Sequence, residues 1–307
     1  MFQVQVLGTG ASIPTNTRLP SAQIVTINDR HHLVDCGEGT QMQLLRHKIR
    51  FSRLDSIFIT HLHGDHMLGV PGLLSTLSLY ERNYPLKLFA PAGMMDILNV
   101  VFAKSMSRLN FELEFYPTEE YKPGDIIFET DKFQVKALPL EHRIHCCGFR
   151  FTEINKRPRF DFYKAKALEI PNAYYPLLKL GNSITLDDGR MISPDMVMRE
   201  AENPLSFSYC SDTRYNEALI EHIYGSHLLY HEATFQFDML DRAEETWHST
   251  AWQAAQIACR AQVRSLLLGH FSARYRELEP LLDEARSIFP HTHLAKEGFV
   301  YDLKEFA

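Results

Sequence analysis

Ser56-Ile57-Phe58-Ile59-Thr60-His61-Leu62-His63-Gly64-Asp65-His66 is the stretch on which this chain turns. A strand-like apolar run passes straight into three imidazoles and a carboxylate within six residues. Imidazole and carboxylate together suit divalent metals of borderline softness, zinc above all. His61 and His63 are two apart, so on extended backbone their side chains point the same way. Asp65 and His66 are adjacent, so a tight turn can aim them at a different centre. The pattern predicts two metals sharing one loop, not one metal in a closed cage. The plain alternative is a cluster of surface histidines on a turn, and the buried strand before it argues against that.

The chain has 307 residues with 45% hydrophobic content, enough for one large core or two small ones. No stretch reaches the roughly 18 unbroken apolar residues a membrane span requires. Met1 to Gly8 alternates like a strand and lacks a basic segment followed by an apolar one, so no signal peptide is expected. Five cysteines form no CxxC pair, and Cys146 and Cys147 are adjacent, which points to free thiols in a reducing cytoplasm. A net charge of −6 weighs weakly against a general nucleic-acid binder. Bound cations and locally concentrated basic residues can offset it.

Strands are expected at Phe2 to Leu7, Ala22 to Ile27, His32 to Cys36, Lys87 to Ala90 and Phe133 to Leu138. Helical spacing runs from Gly37 to about His47, and from Leu68 to Tyr80 with Pro71 interrupting early. A second series begins at Ser206 to Cys210, which ends at Ser211-Asp212. Leu228 to Tyr230 ends at His231-Glu232, and Ser265 to Leu268 ends at Gly269-His270. Between them a helix runs from Ser249, a natural N-cap, to Arg260. Strands that end in ionisable residues recur in both halves, and strand ends are where rigid scaffolds present catalytic groups. Two such halves imply a four-layer αββα sandwich, an α/β fold forming a single catalytic domain over 1–307. The segment 150–188, rich in Lys, Arg, Tyr and Pro, reads as an excursion inserted within it.

Two metals need more ligands than one loop supplies. His142, Asp212 and His270 each follow a strand and are the isolated candidates. Gly8-Thr9-Gly10-Ala11-Ser12 offers small residues with free backbone N–H groups for phosphate. Arg274, four residues after His270, could make a bidentate phosphate contact. Lys156-Arg157-Pro158-Arg159-Phe160-Asp161-Phe162-Tyr163-Lys164-Ala165-Lys166 interleaves five cations with three aromatics, a pattern suited to RNA backbone and bases.

The His-x-His-x-Asp-His motif after an apolar strand resembles the metallo-β-lactamase superfamily. The longer block Phe58 to Leu74, "FITHLHGDHMLGVPGLL", is similar to ribonuclease Z, the endonucleases that trim tRNA 3′ ends. The N-terminal "LGTG", His231-Glu232-Ala233-Thr234, Trp247-His248-Ser249-Thr250 and "HFSARY" from His270 extend the likeness. The resemblance implies the αββα fold with a protruding tRNA-binding arm at 150–188. It implies two Zn²⁺ per chain: one on His61, His63 and His142, the other on Asp65, His66 and His270, with Asp212 bridging. It gives Asp65 a general-base role, His248 that of general acid, and Glu232 the task of orienting His248. Ser12, Arg18 and Arg274 match positions expected at phosphate. Lys156, Arg157, Arg159, Lys164 and Lys166 fall in the arm, whose usual Gly-Pro-rich tip is replaced here by Pro171-Asn172-Ala173-Tyr174-Tyr175-Pro176.

The expected activity is zinc-dependent removal of 3′ trailers from precursor tRNA, leaving a 3′-hydroxyl. The resemblance also implies a homodimer in which one subunit's arm serves its partner. No membrane association and no organic cofactor are expected. A binuclear-zinc phosphodiesterase or 3′ exoribonuclease using the same site is the alternative. A non-catalytic metal-binding protein would be signalled by loss of Asp65 or Asp212, and both are present.

Overall fold

The computed structural model describes residues 1–154, 159–199 and 203–306. It divides into two compact units: Met1–Thr152 with Leu205–Ala307, and Glu153–Pro204.

The larger unit is built on two seven-stranded sheets. In the first, Phe2–Gly8, Ala22–Ile27 and Arg30–Cys36 pair antiparallel. Leu54–Phe58, Leu86–Ala90 and Leu113–Pro117 then continue in parallel. In the second, Ser206–Cys210, Leu228–Glu232, Ser265–Gly269 and Thr292–Leu294 are parallel neighbours. Cys147–Glu153 flanks them antiparallel.

The period-two pattern sets the layers. Phe2, Val4 and Val6 on the first strand join Phe58, Phe149, Phe151 and Phe207 in one core. Ile24, Leu33 and Ile57, on the other face of the first sheet, pack with Leu73, Leu74 and Leu77 of the helix Gly69–Leu79. Leu229, Leu266 and Leu268 do the same for Ala254, Ala255 and Ala258 of Ala251–Arg260. The result is helix, sheet, sheet, helix. Each fully buried large apolar side chain in these layers is worth about 1.5–3 kcal/mol.

Local details shift some expected boundaries. The helix expected from Gly37 starts at Thr40, because Gly39 sits in left-handed backbone at φ 83°. Pro71 does not interrupt its helix. It lies in the first turn, where its missing N–H costs nothing. The N-cap of Ala251–Arg260 is Thr250, not Ser249. Thr250 and Gln253 form a reciprocal capping box, while the Ser249 hydroxyl donates to the Thr213 carbonyl at 2.6 Å.

The parallel strands of both sheets deliver functional groups at their C-terminal ends, as parallel α/β sheets do. Asp35 lies near the end of Arg30–Cys36, and His61 follows Leu54–Phe58. Asp212, Glu232 and His270 end or follow the three central strands of the second sheet. Gly269 is required there: a Cβ would run into the Tyr230 hydroxyl.

The smaller unit has its own core of Ala165, Ile170, Leu178, Ile184, Leu186, Ile192 and Val197. Arg159–Phe160 pairs with Met198–Arg199, and Ile184–Thr185 pairs with Met191–Ile192. Asp161 caps the helix Phe162–Ala167 by accepting from the amides of Tyr163 and Lys164. At 171–176, Pro171 precedes a single turn, Asn172–Tyr174, that leads into the helix Tyr175–Lys179.

Candidate metal centre and active site

The loop leaves the first sheet extended through His63, then turns into the short helix Gly64–Met67. That change of backbone sends His61 and His63 one way and Asp65 and His66 another. Two groups of donor atoms result.

His61 Nε2 lies 3.0 Å from His63 Nδ1, and His142 Nε2 lies 3.2 Å from the same atom. Asp212 turns Oδ2 toward this group, 3.5 Å from His61 Nε2 and 3.9 Å from His142 Nε2. Its Oδ1 is 3.1 Å from His66 Nε2 and 3.0 Å from His270 Nε2. Asp65 Oδ2 completes the second group, 3.4 Å from each of those nitrogens.

These spacings fit cations. Nitrogens about 2.0–2.1 Å from a tetrahedral centre stand about 3.3 Å apart. Hydrogen bonds cannot satisfy all of these contacts at once, because four of the rings are anchored through Nδ1. His66 Nδ1 donates to Asp35 at 2.8 Å, and His142 Nδ1 to the Trp247 carbonyl at 3.0 Å. The Thr60 hydroxyl donates to Asp35 at 3.0 Å and so accepts from His61 Nδ1, also at 3.0 Å. The Thr234 hydroxyl donates to Glu232 at 2.6 Å and so accepts from His270 Nδ1 at 2.9 Å. With Nδ1 holding one proton, the neutral ring presents an Nε2 lone pair to its neighbours, an arrangement suited to a cation.

Charge agrees. Burial pushes His61, His63 and His142 below the usual imidazole value, keeping them neutral donors. Burial also opposes charge on His66, but the carboxylates of Asp212, Asp35 and Asp65 outweigh it and raise that ring. Burial would raise Asp212 as well, yet His270, His66 and His61 hold it well below the usual carboxylate range. The pocket therefore favours positive charge, which a divalent ion supplies in place of a proton. Asp35, Asp212 and His270 all adopt left-handed backbone, with φ of 55°, 56° and 54°. Such conformations are costly for non-glycine residues and gather at functional sites.

Beside the second group stands a buried pair. Glu232 Oε1 accepts from His248 Nδ1 at 3.0 Å and from the Thr213 amide at 2.7 Å. Its Oε2 accepts from the Ser249 amide at 3.1 Å as well as from Thr234. Burial disfavours charge on both partners. Their attraction prevails, lowering Glu232 and pushing His248 up to about 9. The His248 ring is 5.2 Å from that of His142 and 5.4 Å from that of His270.

This chain is similar to Ribonuclease Z of Bacteroides fragilis (strain YCH46). The two are 39% identical over 307 residues, 98% of this chain and 99% of that protein. The chain belongs to the ribonuclease Z family. The crystal structure of the short form of human tRNase Z matches with a TM-score of 0.69 and 28% identity, covering 98% of this chain and 99% of that one. The metallo-β-lactamase fold protein YhfI from Bacillus subtilis gives 0.69 at 19% identity over 98% of both chains and bears on the fold alone. Residues 2–164 also match the family model described as Anti-Pycsar protein Apyc1. That stretch holds the metal loop and His142 but stops short of Asp212, Glu232, His248 and His270, which the full-length ribonuclease Z match spans.

Against this ribonuclease Z frame, the expected phosphate groups divide. The amides of Thr9 and Gly10 donate to the Leu19 carbonyl, that of Ala11 to the Phe271 carbonyl, and that of Ser12 to Asp65 Oδ2 at 2.7 Å. The expected free N–H groups are therefore already engaged, and the loop braces Asp65 instead. Arg18 is nearly buried and gives Nη2 to the carbonyls of Ser272 and Tyr275 at 3.3 and 2.7 Å. It ties two loops together and is not presented to solvent. Arg274 is exposed over the Phe235 ring, 5.0 Å from its centre.

Among the arm residues, Arg159, Lys164 and Lys166 are exposed; Lys156 and Arg157 lie outside the described residues. Lys164 donates to the Met198 carbonyl at 3.4 Å. Phe160, Phe162 and Tyr175 pack on one another, and Lys179 sits over the rings of Phe160 and Phe162.

Asp35 was not among the expected site residues. It orients His66, braces Thr60 and accepts from the Tyr209 hydroxyl at 2.9 Å. One signal was available: a carboxylate inside the apolar run Leu33-Val34-Asp35-Cys36 must find a buried partner.

Proposed function

We propose that this chain is a tRNA 3′-processing endoribonuclease that holds two zinc ions. The donor groups that share Asp212, one carboxylate oxygen facing each, carry this reading. His61, His63, His142 and Asp212 would hold one ion; Asp65, His66, His270 and Asp212 would hold the other. When bound, such ions lower the pKa of water and neutralise charge developing on phosphate.

The chain's own residues do the rest. Asp65, anchored by the Ser12 amide, takes or holds a proton of the attacking water. The water oxygen bonds to phosphorus as the bond from phosphorus to the 3′ oxygen breaks. His248, whose Nδ1 is fixed on Glu232, gives its Nε2 proton to that leaving oxygen. The tRNA keeps a 3′-hydroxyl and the trailer leaves with the phosphate. The test is cleavage of a 3′-extended precursor tRNA, mapped to the nucleotide, with Asp65→Ala as control. A single cut beside the discriminator base, lost in the variant, is expected. No cut, with metal-dependent hydrolysis of a small phosphodiester, would move the substrate to the phosphodiesterase alternative.

Substrate grip is assigned to the smaller unit, on its exposed cations and aromatics. Neutralising Lys156, Arg157, Arg159, Lys164 and Lys166 together is expected to raise KM for precursor tRNA roughly 10-fold or more and flatten its salt dependence. Hydrolysis of bis(p-nitrophenyl) phosphate should barely change. Equal loss on both substrates would make the unit structural.

The homodimer rests on family likeness and on an apolar surface. The helices Thr40–Arg46 and Gly69–Leu79 leave Met42, Leu45, Leu79 and the following Tyr80 exposed. No helix among the described residues is long and apolar enough to cross a membrane. All five cysteines are free thiols, in keeping with a cytoplasmic setting.

A further inference from the structure

Two cavities open beside the metal centre, of about 340 and about 330 Å³. The first is bordered by the metal-binding residues His63 and Asp65 and walled by Pro14, Pro20 and Leu68. The second is bordered by His248, with Thr234, Phe235, Arg242 and Arg274. Ser12 and Arg143 line both. A strand crossing the centre from one cavity to the other passes these two residues at the crossing.

Arg143 directly follows His142 and is exposed. Among the described residues no hydrogen bond or ion pair engages its guanidinium. The other arginines nearby are engaged: Arg18 by carbonyls, Arg242 by Glu245, Arg274 by the Phe235 ring. A guanidinium beside a site that gathers cations is repelled until an anion arrives between them. Its planar fork matches two phosphate oxygens.

We propose that Arg143 clamps the phosphodiester being cleaved, at the junction of the two cavities. The inference rests on the nuclease reading of the same site and extends it to a residue outside the metal and proton-transfer sets.

The experiment compares wild type, Arg143→Ala and Arg143→Lys on precursor tRNA and on bis(p-nitrophenyl) phosphate, with metal content measured in each. Arg143→Ala should lose about 10- to 100-fold in kcat/KM on both substrates, the worth of a charge-assisted contact. Arg143→Lys should fall between, because it keeps the charge and loses the fork. Metal content should not change. A change under about twofold on both substrates would overturn the clamp, given the normal meaning of such ratios. So would a loss confined to tRNA, or a loss of metal. Should wild type fail to cut tRNA while Arg143→Ala still impairs the small ester, the nuclease reading falls and the clamp stands.

Discussion

Asp212→Ala is expected to empty the metal centre and abolish activity together. Asp212 is 2% exposed and, among the described residues, is the only one whose oxygens face both donor groups, Oδ2 toward His61 and His142, Oδ1 toward His66 and His270. Without it each group loses an anionic donor, and within the two donor groups Asp65 is the one carboxylate left to face two divalent ions. Elemental analysis should then find well under the two zinc ions per chain proposed for wild type. Cleavage of precursor tRNA should fall by at least about 10³-fold, equivalent to about 4 kcal/mol in the barrier. Asp212→Asn separates charge from shape. It fills the same volume and should be nearly as inactive, whereas recovery in the amide variant would mean that Asp212 acts by packing. Retention of two zinc ions by Asp212→Ala would refute the bridge.

How much of this was legible in the sequence depended on how local the code was. The metal loop was readable because its donors fall within six residues and the change from extended strand to turn is written at Gly64. His142, Asp212 and His270 were readable as isolated polar residues closing apolar strands, and the likeness to known nucleases ordered them. Asp35 escaped because its partner His66 lies 31 residues away and no spacing rule connects them. The Gly8–Ser12 loop was misread for the same reason. Whether an amide is free depends on acceptors at Leu19, Asp65 and Phe271, all supplied by tertiary structure. Arg18 and Arg143 are alike as sequence and opposite as structure: carbonyls of the loop after His270 consume the first, and no hydrogen bond or ion pair among the described residues consumes the second.

The second large effect concerns the leaving group. His248→Ala is expected to cut kcat on precursor tRNA by roughly 10²–10⁴-fold, the usual range for a lost general acid. An alkoxide leaving from ribose needs a proton, whereas p-nitrophenolate does not. The same variant should therefore hydrolyse bis(p-nitrophenyl) phosphate at close to the wild-type rate, and a comparable loss on both esters would make His248 a structural or metal-positioning residue. Glu232→Gln tests where the proton's affinity comes from. Burial alone would lower His248, and the charge and hydrogen bond of Glu232 raise it instead, to about 9. The acid must be protonated to act, so its contribution is present below that pKa and fades as pH rises through it. Ions held by the neighbouring groups would pull the limb downward in wild type and variant alike. Removing the carboxylate charge then shifts the alkaline limb of kcat further toward neutral pH on the RNA substrate and leaves the p-nitrophenyl ester profile in place. An unmoved limb in Glu232→Gln would mean that Glu232 serves only its other donors, the Thr213 and Ser249 amides and the Thr234 hydroxyl that fixes His270.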